Sequence, residues 1–183
     1  MEDTAVIIQQ TKNWIAEIVI GHQFCPFAGH PFKNNSIAYQ VYNNCNTMAV
    51  LENLIRVCIQ MEEDSSIETA LLIFPGQFLD FEAYLDVLDL SESIMREEGY
   101  DGVFQLASFH PSYVFAGSNE NDPANYTNRS PYPMLHILRE ESVTAVLKNN
   151  KAHKEIPQKN IEKASSLGLT YFQTILAKIT EKA

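Results

Sequence analysis

At 183 residues, with 45% hydrophobic and 20% charged residues, the chain has the length and composition of one ordinary globular domain rather than of a disordered or fibrous protein. Its formal net charge of -10 argues against a nucleic-acid footprint, which needs clustered Lys and Arg to displace counterions from phosphates. The N-terminal MEDTAVIIQQ shows no basic leader ahead of an apolar stretch, no apolar run approaches the ~18 to 20 residues of a membrane span, and three cysteines in such a chain read as reduced thiols of a cytoplasmic protein.

Ile7, Ile8, Trp14, Ile15, Ile18 and Val19 recur at helical spacing after a cap at Asp3 or Thr4, and Gly21 ends the pattern. SIAYQVY, 36–42, is β-branched and aromatic in the manner of a strand. Asn46 or Thr47 then caps a helix with Val50, Leu51, Leu54, Ile55, Cys58 and Met61 on one stripe. TALLIF, 69–74, is short, continuously apolar and closed by Pro75-Gly76, which predicts a strand buried on both faces. A helix carrying Phe81, Tyr84, Leu85, Leu88 and Met95 stops at Gly99, and VFQLASF, 103–109, predicts a third strand that delivers His110 at its end. Beyond a long loop, helices are expected over about 134–149 with a break near Glu141-Ser142, over 157–167 and over 170–182, with 149–155 as a flexible connection. Strands alternating with helices predict an α/β or α+β fold: a three- to four-stranded sheet with helices packed on it, one long ordered loop after the third strand, a helical C-terminal third, and a single domain over 1–183.

The loop is the richest chemical feature. Residues 110–133 make 24 positions without helical or alternating pattern, whereas unstructured loops beyond ~12 to 15 residues are uncommon and usually functional or disordered. Aromatic anchors and prolines favour order, and a loop at strand ends is where ligands bind in sheets with crossover helices. Asn125, Thr127 and Asn128 supply donors and acceptors, Asp122 a carboxylate, and Arg129 a guanidinium suited to carboxylate or phosphate. On the expected following helix, His136, Arg139 and Glu140 stand at i, i+3 and i+4 and share a face. Turn formation by Asn and Asp, a structural clamp by Arg129 and a core role for His136 are the competing readings.

A second constellation is GHQFCPFAGHPF, 21–32. Cys25 lies three residues from His22 and five from His30, compatible with metal ligation or a thiol activated by imidazole; an inert packed thiol is the alternative. Zinc on Cys25, His110 and His136 requires the fold to bring those segments together. Phosphate loops, His-Glu-x-x-His, Gly-x-Ser-x-Gly and Cys-x-x-Cys are absent.

Cys25-Pro26-Phe27-Ala28 after a first helix, then FQLASFHP, FAG, NYTNRSPYP and LHILRE, resemble a bacterial and plastid family known as domain of unknown function 1415. The resemblance spans nearly the whole chain. It implies special roles for Cys25, His110, Asp122, Asn125, Thr127, Asn128, Arg129, His136, Arg139 and Glu140, and implies no reaction. Asn121 stands where relatives often carry a second acid, and His22 is a further departure.

The leading functional expectation is an enzyme, a hydrolase or transferase, acting on a small anionic metabolite held by Arg129 and Arg139. His110 and His136 would serve as general acid and base, and Asp122 or Glu140 would orient an imidazole or help hold a divalent metal. A non-catalytic module that binds an anion or a protein through the same loop is the second expectation. A loop that only satisfies its own backbone is the third. Oligomeric state is not legible.

Overall fold

All five residues of TALLI are buried, and they form the second strand of a four-stranded mixed sheet. The computed structural model describes residues 3–149 and 155–181. The chain enters through α1 (Thr4–Trp14), which widens into a π-helical turn (Ile15–Ile20), and a short α2 (Gly29–Asn34) leads into β1 (Ile37–Val41). Then follow α3 (Thr47–Glu63), β2 (Thr69–Ile73), α4 (Phe81–Glu97), β3 (Phe104–Phe109), a 3-10 turn (Pro123–Thr127), β4 (Met134–Arg139), α5 (Glu140–Asn149), α6 (Ile156–Leu167) and α7 (Leu169–Glu181).

Local chemistry starts these elements where the sequence places them. Asp3, Asn46 and Asp80 cap α1, α3 and α4 by accepting backbone N–H groups of Ala5, Ala49 and Ala83 at 3.1, 2.9 and 2.9 Å, each cap stabilising its helix by about 1 kcal/mol. The strand order is β1-β2-β4-β3, with β1 and β2 parallel and β4 antiparallel to both neighbours. β1, β2 and β3 therefore run in one direction through helical crossovers, and β4 is inserted between β2 and β3 in the other.

One element differs from the sequence reading. The stretch MLHILR, expected to begin a helix, is β4, and the helix begins only at Glu140. A strand covered on both faces loses its alternation, so six mostly apolar residues running straight into a helical pattern show no boundary. His136, Arg139 and Glu140 consequently do not share a helical face. The expected connection over 149–155 falls mainly on 150–154, outside the described residues.

Two cores sandwich the sheet. On one face, Val50, Leu54, Cys58 and Met61 of α3 and Tyr84 and Val87 of α4 pack against Leu72, Leu135 and Ile137. On the other, Ile7, Trp14, Ile18, Phe172 and Ile179 pack against Leu71, Ile73 and Met134. The Tyr84 hydroxyl donates to the Met134 carbonyl at 2.7 Å, satisfying the phenol inside the first core. Cys58 lies fully buried in that core, as its place on the apolar stripe predicts.

Candidate functional site

The 110–133 loop is ordered, and its polar groups turn inward onto its own backbone. Asn125 is wholly buried; its amide donates to the carbonyls of Asn119 and Glu120 at 2.8 and 3.4 Å, and its Oδ1 accepts from Phe115 N–H at 3.1 Å. Asp122 accepts from Ala124 N–H and the Ser118 hydroxyl at 2.9 and 3.0 Å. Thr127 donates to the Ala124 carbonyl at 2.9 Å, and the Asn128 amide donates to the Ser108 carbonyl at 3.2 Å. The Arg129 guanidinium donates to the carbonyls of Tyr113 and Glu120 at 3.0 and 2.7 Å and lies 4.7 Å over the Tyr126 ring. Its own carbonyl accepts from the Trp14 indole at 2.9 Å, which ties the loop to α1.

His110 and His136 do not converge. His110 packs against Phe81 and Tyr84 on the α4 side of the sheet, donating from Nε2 to the Phe78 carbonyl at 2.8 Å and accepting at Nδ1 from Ser112 N–H at 3.0 Å. Both nitrogens are thus committed in a neutral ring, and burial, partly opposed by the Phe78 bond and Asp80, lowers its pKa. His136 points to the opposite face, so the expected acid–base pair is not assembled. Nor is a Cys25, His110 and His136 metal site. Among the described residues, no group of three or more His, Cys, Asp or Glu side chains is arranged to hold a metal ion.

Arg139 is also committed. It donates to the carbonyls of Ile67 at 3.1 Å, Asp64 at 3.3 Å and Met61, at the C-terminal end of α3 where a cation is favoured, and lies 5.5 Å over Phe104. Glu140 opens α5 and, with Arg96, Glu92 and Tyr100, lines a shallow polar cleft of about 220 Å³ on the α4 side.

The space that does open on the sheet lies elsewhere. A cavity of about 330 Å³ covers the face of β2, β3 and β4 that bears Leu71, Ala107, Phe109 and His136. Trp14, Ile15 and Val19 of α1 and the π-helical turn make one wall, and Cys25, Phe27 and Pro31 from the CPFA segment and α2 roof it. The π-helical turn ends at Gly21, where a Cβ would stand 2.3 Å from the Glu17 carbonyl oxygen, so glycine is required by close approach.

His136 stands on the floor with the polar side chains of Thr69 and Gln105. The Thr69 hydroxyl lies 2.5 Å from the Ile137 carbonyl and 2.6 Å from His136 Nε2. A hydroxyl has one proton; given to the carbonyl, it leaves Oγ1 to accept from Nε2–H, which fixes the tautomer. Nδ1 is then an acceptor, and it has no hydrogen-bond partner among the described residues. Because no buried side-chain nitrogen or oxygen among them lacks a partner, Nδ1 has access to the cavity. Burial pushes the pKa of His136 down to about 4, so the ring is neutral at pH 7.

Cys25 brings a thiol to the same cavity. Burial raises its pKa, opposed by hydrogen bonds from the backbone N–H groups of Phe27 and Ala28. At the rim, Glu68 accepts from the Ser36 hydroxyl at 2.8 Å and from exposed His30 Nδ1 at 3.1 Å. Burial acts to raise the Glu68 pKa, but these bonds and the Asn34 amide outweigh it and hold the carboxyl below its usual value. The sequence reading reached Cys25 and His30 through their spacing, and His136. It missed Thr69, Glu68 and Trp14, whose only signal is a polar pair opening a buried strand and an indole on a helical stripe.

Among the described residues, no helix is long and apolar enough to cross a membrane. No curated protein and no solved structure matches the chain. The model of a family described as protein of unknown function (DUF1415) matches residues 6–174, a stretch that takes in the whole sheet and every wall of the cavity, and the chain belongs to that family.

Proposed function

We propose that the protein binds a compact, mainly apolar small molecule in the cavity on the sheet face, with His136 Nδ1 accepting a hydrogen bond from its polar group. One observation carries this reading: the apolar cavity is lined by a neutral imidazole with one nitrogen left to accept from a ligand. Ligand sites are typically concave, apolar and furnished with a few placed polar groups. Free thiols at Cys25, Cys45 and Cys58 favour a reducing cytoplasmic location.

A second reading, that the bound molecule is also transformed, is favoured by the Cys25 thiol and the His136 imidazole lining one cavity. Burial holds the Cys25 thiol above its usual pKa, only partly offset by the Phe27 and Ala28 N–H groups, so this reading requires a base to take its proton. Hydrolysis or group transfer on an anionic metabolite at the 110–133 loop is the competing reading. It requires Arg129 and Arg139 to leave the carbonyls that hold them.

The test is an NMR fragment screen that includes neutral aromatics, amines, phosphates and carboxylates. Fragment-induced shifts at Leu71, Ala107 and His136 are the expected result. Shifts confined to Asn125, Asn128 and Arg129 with phosphates or carboxylates would replace this reading with the anion-binding loop.

A further inference from the structure

The cavity is asymmetric in its polar chemistry, and the asymmetry selects a ligand charge. Its floor offers an acceptor, His136 Nδ1. Its rim offers a carboxylate, Glu68, whose side chain is 29% exposed and directly precedes the Thr69 that holds His136. Three aromatic side chains, Trp14 in the wall, Phe27 in the roof and Phe109 on the floor, line it.

Neither basic side chain on the lining is available to an anion: His30 is exposed at the rim and already turned to Glu68. Arg139 touches the cavity lining, but its guanidinium is bound to carbonyls at the end of α3 and rests over Phe104, which belongs to the other core. Among the described residues, no lysine lines the cavity. A carboxylate or phosphate placed there would meet Glu68 and a neutral imidazole in a poorly solvated space without a compensating charge, which is costly.

Resting on the reading of this cavity as a ligand site, we propose that its ligand is a small organic amine: a compact apolar body lying against Trp14 and Phe109, with a protonated nitrogen at Glu68 and a donor directed to His136. Charge-assisted hydrogen bonds to a carboxylate and proximity to aromatic faces both favour an ammonium, and both are stronger in a partly desolvated cleft than in water. Ser36 and His30 already hold the Glu68 carboxylate in place, so an incoming ammonium meets a positioned acceptor.

The experiment is a calorimetric titration of three probes with the same phenylpropyl carbon skeleton at pH 7: 3-phenylpropan-1-amine, 3-phenylpropan-1-ol and 3-phenylpropanoate. The amine is expected to bind at least about tenfold more tightly than the alcohol, the scale of one charge-assisted hydrogen bond, and the carboxylate more weakly than either. Glu68→Gln is expected to remove the amine's advantage while the alcohol binds as before. Binding of amine and alcohol with equal affinity, or strongest binding of the carboxylate, would overturn the charge assignment while leaving the cavity as a ligand site. Failure of all three to bind, in a protein whose spectrum shows it folded, would overturn the underlying reading and this inference with it. The comparison in the parent protein decides the matter even if Glu68→Gln does not fold.

Discussion

A histidine that donates to a buried threonine and turns its other nitrogen into an apolar cavity is costly to protonate, and that cost is measurable. The pKa of His136 is about 4 in the folded protein against 6.5 in an unfolded chain. The unfolded state therefore binds more protons between those values, and stability falls as pH drops from 6.5 toward 4, by up to about 3 kcal/mol for this group. His110 and His22, also lowered by burial, act in the same direction. Melting temperatures of the parent and His136→Gln between pH 7 and 4 should converge on acidification as the parent loses its advantage; parallel curves would mean that His136 is solvated. Arg129→Ala has a different signature. It removes donors from the Tyr113 and Glu120 carbonyls and the stack on Tyr126, so a loss of about 1–3 kcal/mol in urea denaturation is expected, with fragment binding in the cavity unchanged. Single residues were partly legible. Cys25 and His136 could be chosen from sequence because their chemistry is scarce. Whether Asn125 or Arg129 faces a ligand or its own loop depends on hydrogen bonds between positions up to sixteen apart, which spacing does not encode.

At the scale of elements, the π-helical turn is the device that shapes the cavity wall. Its Gly21 N–H reaches back to the Ala16 carbonyl at 3.0 Å, and the Glu17 carbonyl sits where a side chain would begin. Gly21→Ala is expected to unfold the turn locally or shift it, lowering stability by about 1–3 kcal/mol and weakening cavity binding together; thermal melting and titration of one fragment check both. No change in either would show that the wall tolerates ordinary α-helical geometry. The helix itself was readable from its apolar spacing, but the widening was not, since one extra residue per turn leaves composition untouched. Most other elements were legible for local reasons: Asn46 and Asp80 are caps, and Pro75-Gly76 closes β2. β4 was not. A central strand buried on both faces carries no alternation, and only its partners β2 and β3, from 25 residues away in the registered pair Phe109↔Met134 to 69 in Thr69↔Leu138, give it an identity.

For the whole molecule, the sheet divides labour between its faces. The α3 and α4 side is a closed core, where truncating fully buried Leu54 to Ala should cost about 2–5 kcal/mol in denaturant unfolding without touching the cavity. The α1 and α7 side is closed around Phe172 and Ile179 but stays open over His136, where close packing would otherwise be the rule. Ala107 on β3 lines that opening together with Ile15 and Val19 of the π-helical turn, and its small side chain leaves room there. The α/β architecture of strands alternating with helices was visible in the sequence. The cavity was not, because it is made by residues from Trp14 to Val143 that meet only when the sheet assembles. The most direct test fills it. Ala107→Leu should abolish binding of the best cavity fragment, measured by calorimetry, while near-native amide shifts in the α3 and α4 core show that the fold persists. Undiminished affinity in the filled protein would contradict the assignment of this cavity as the ligand site.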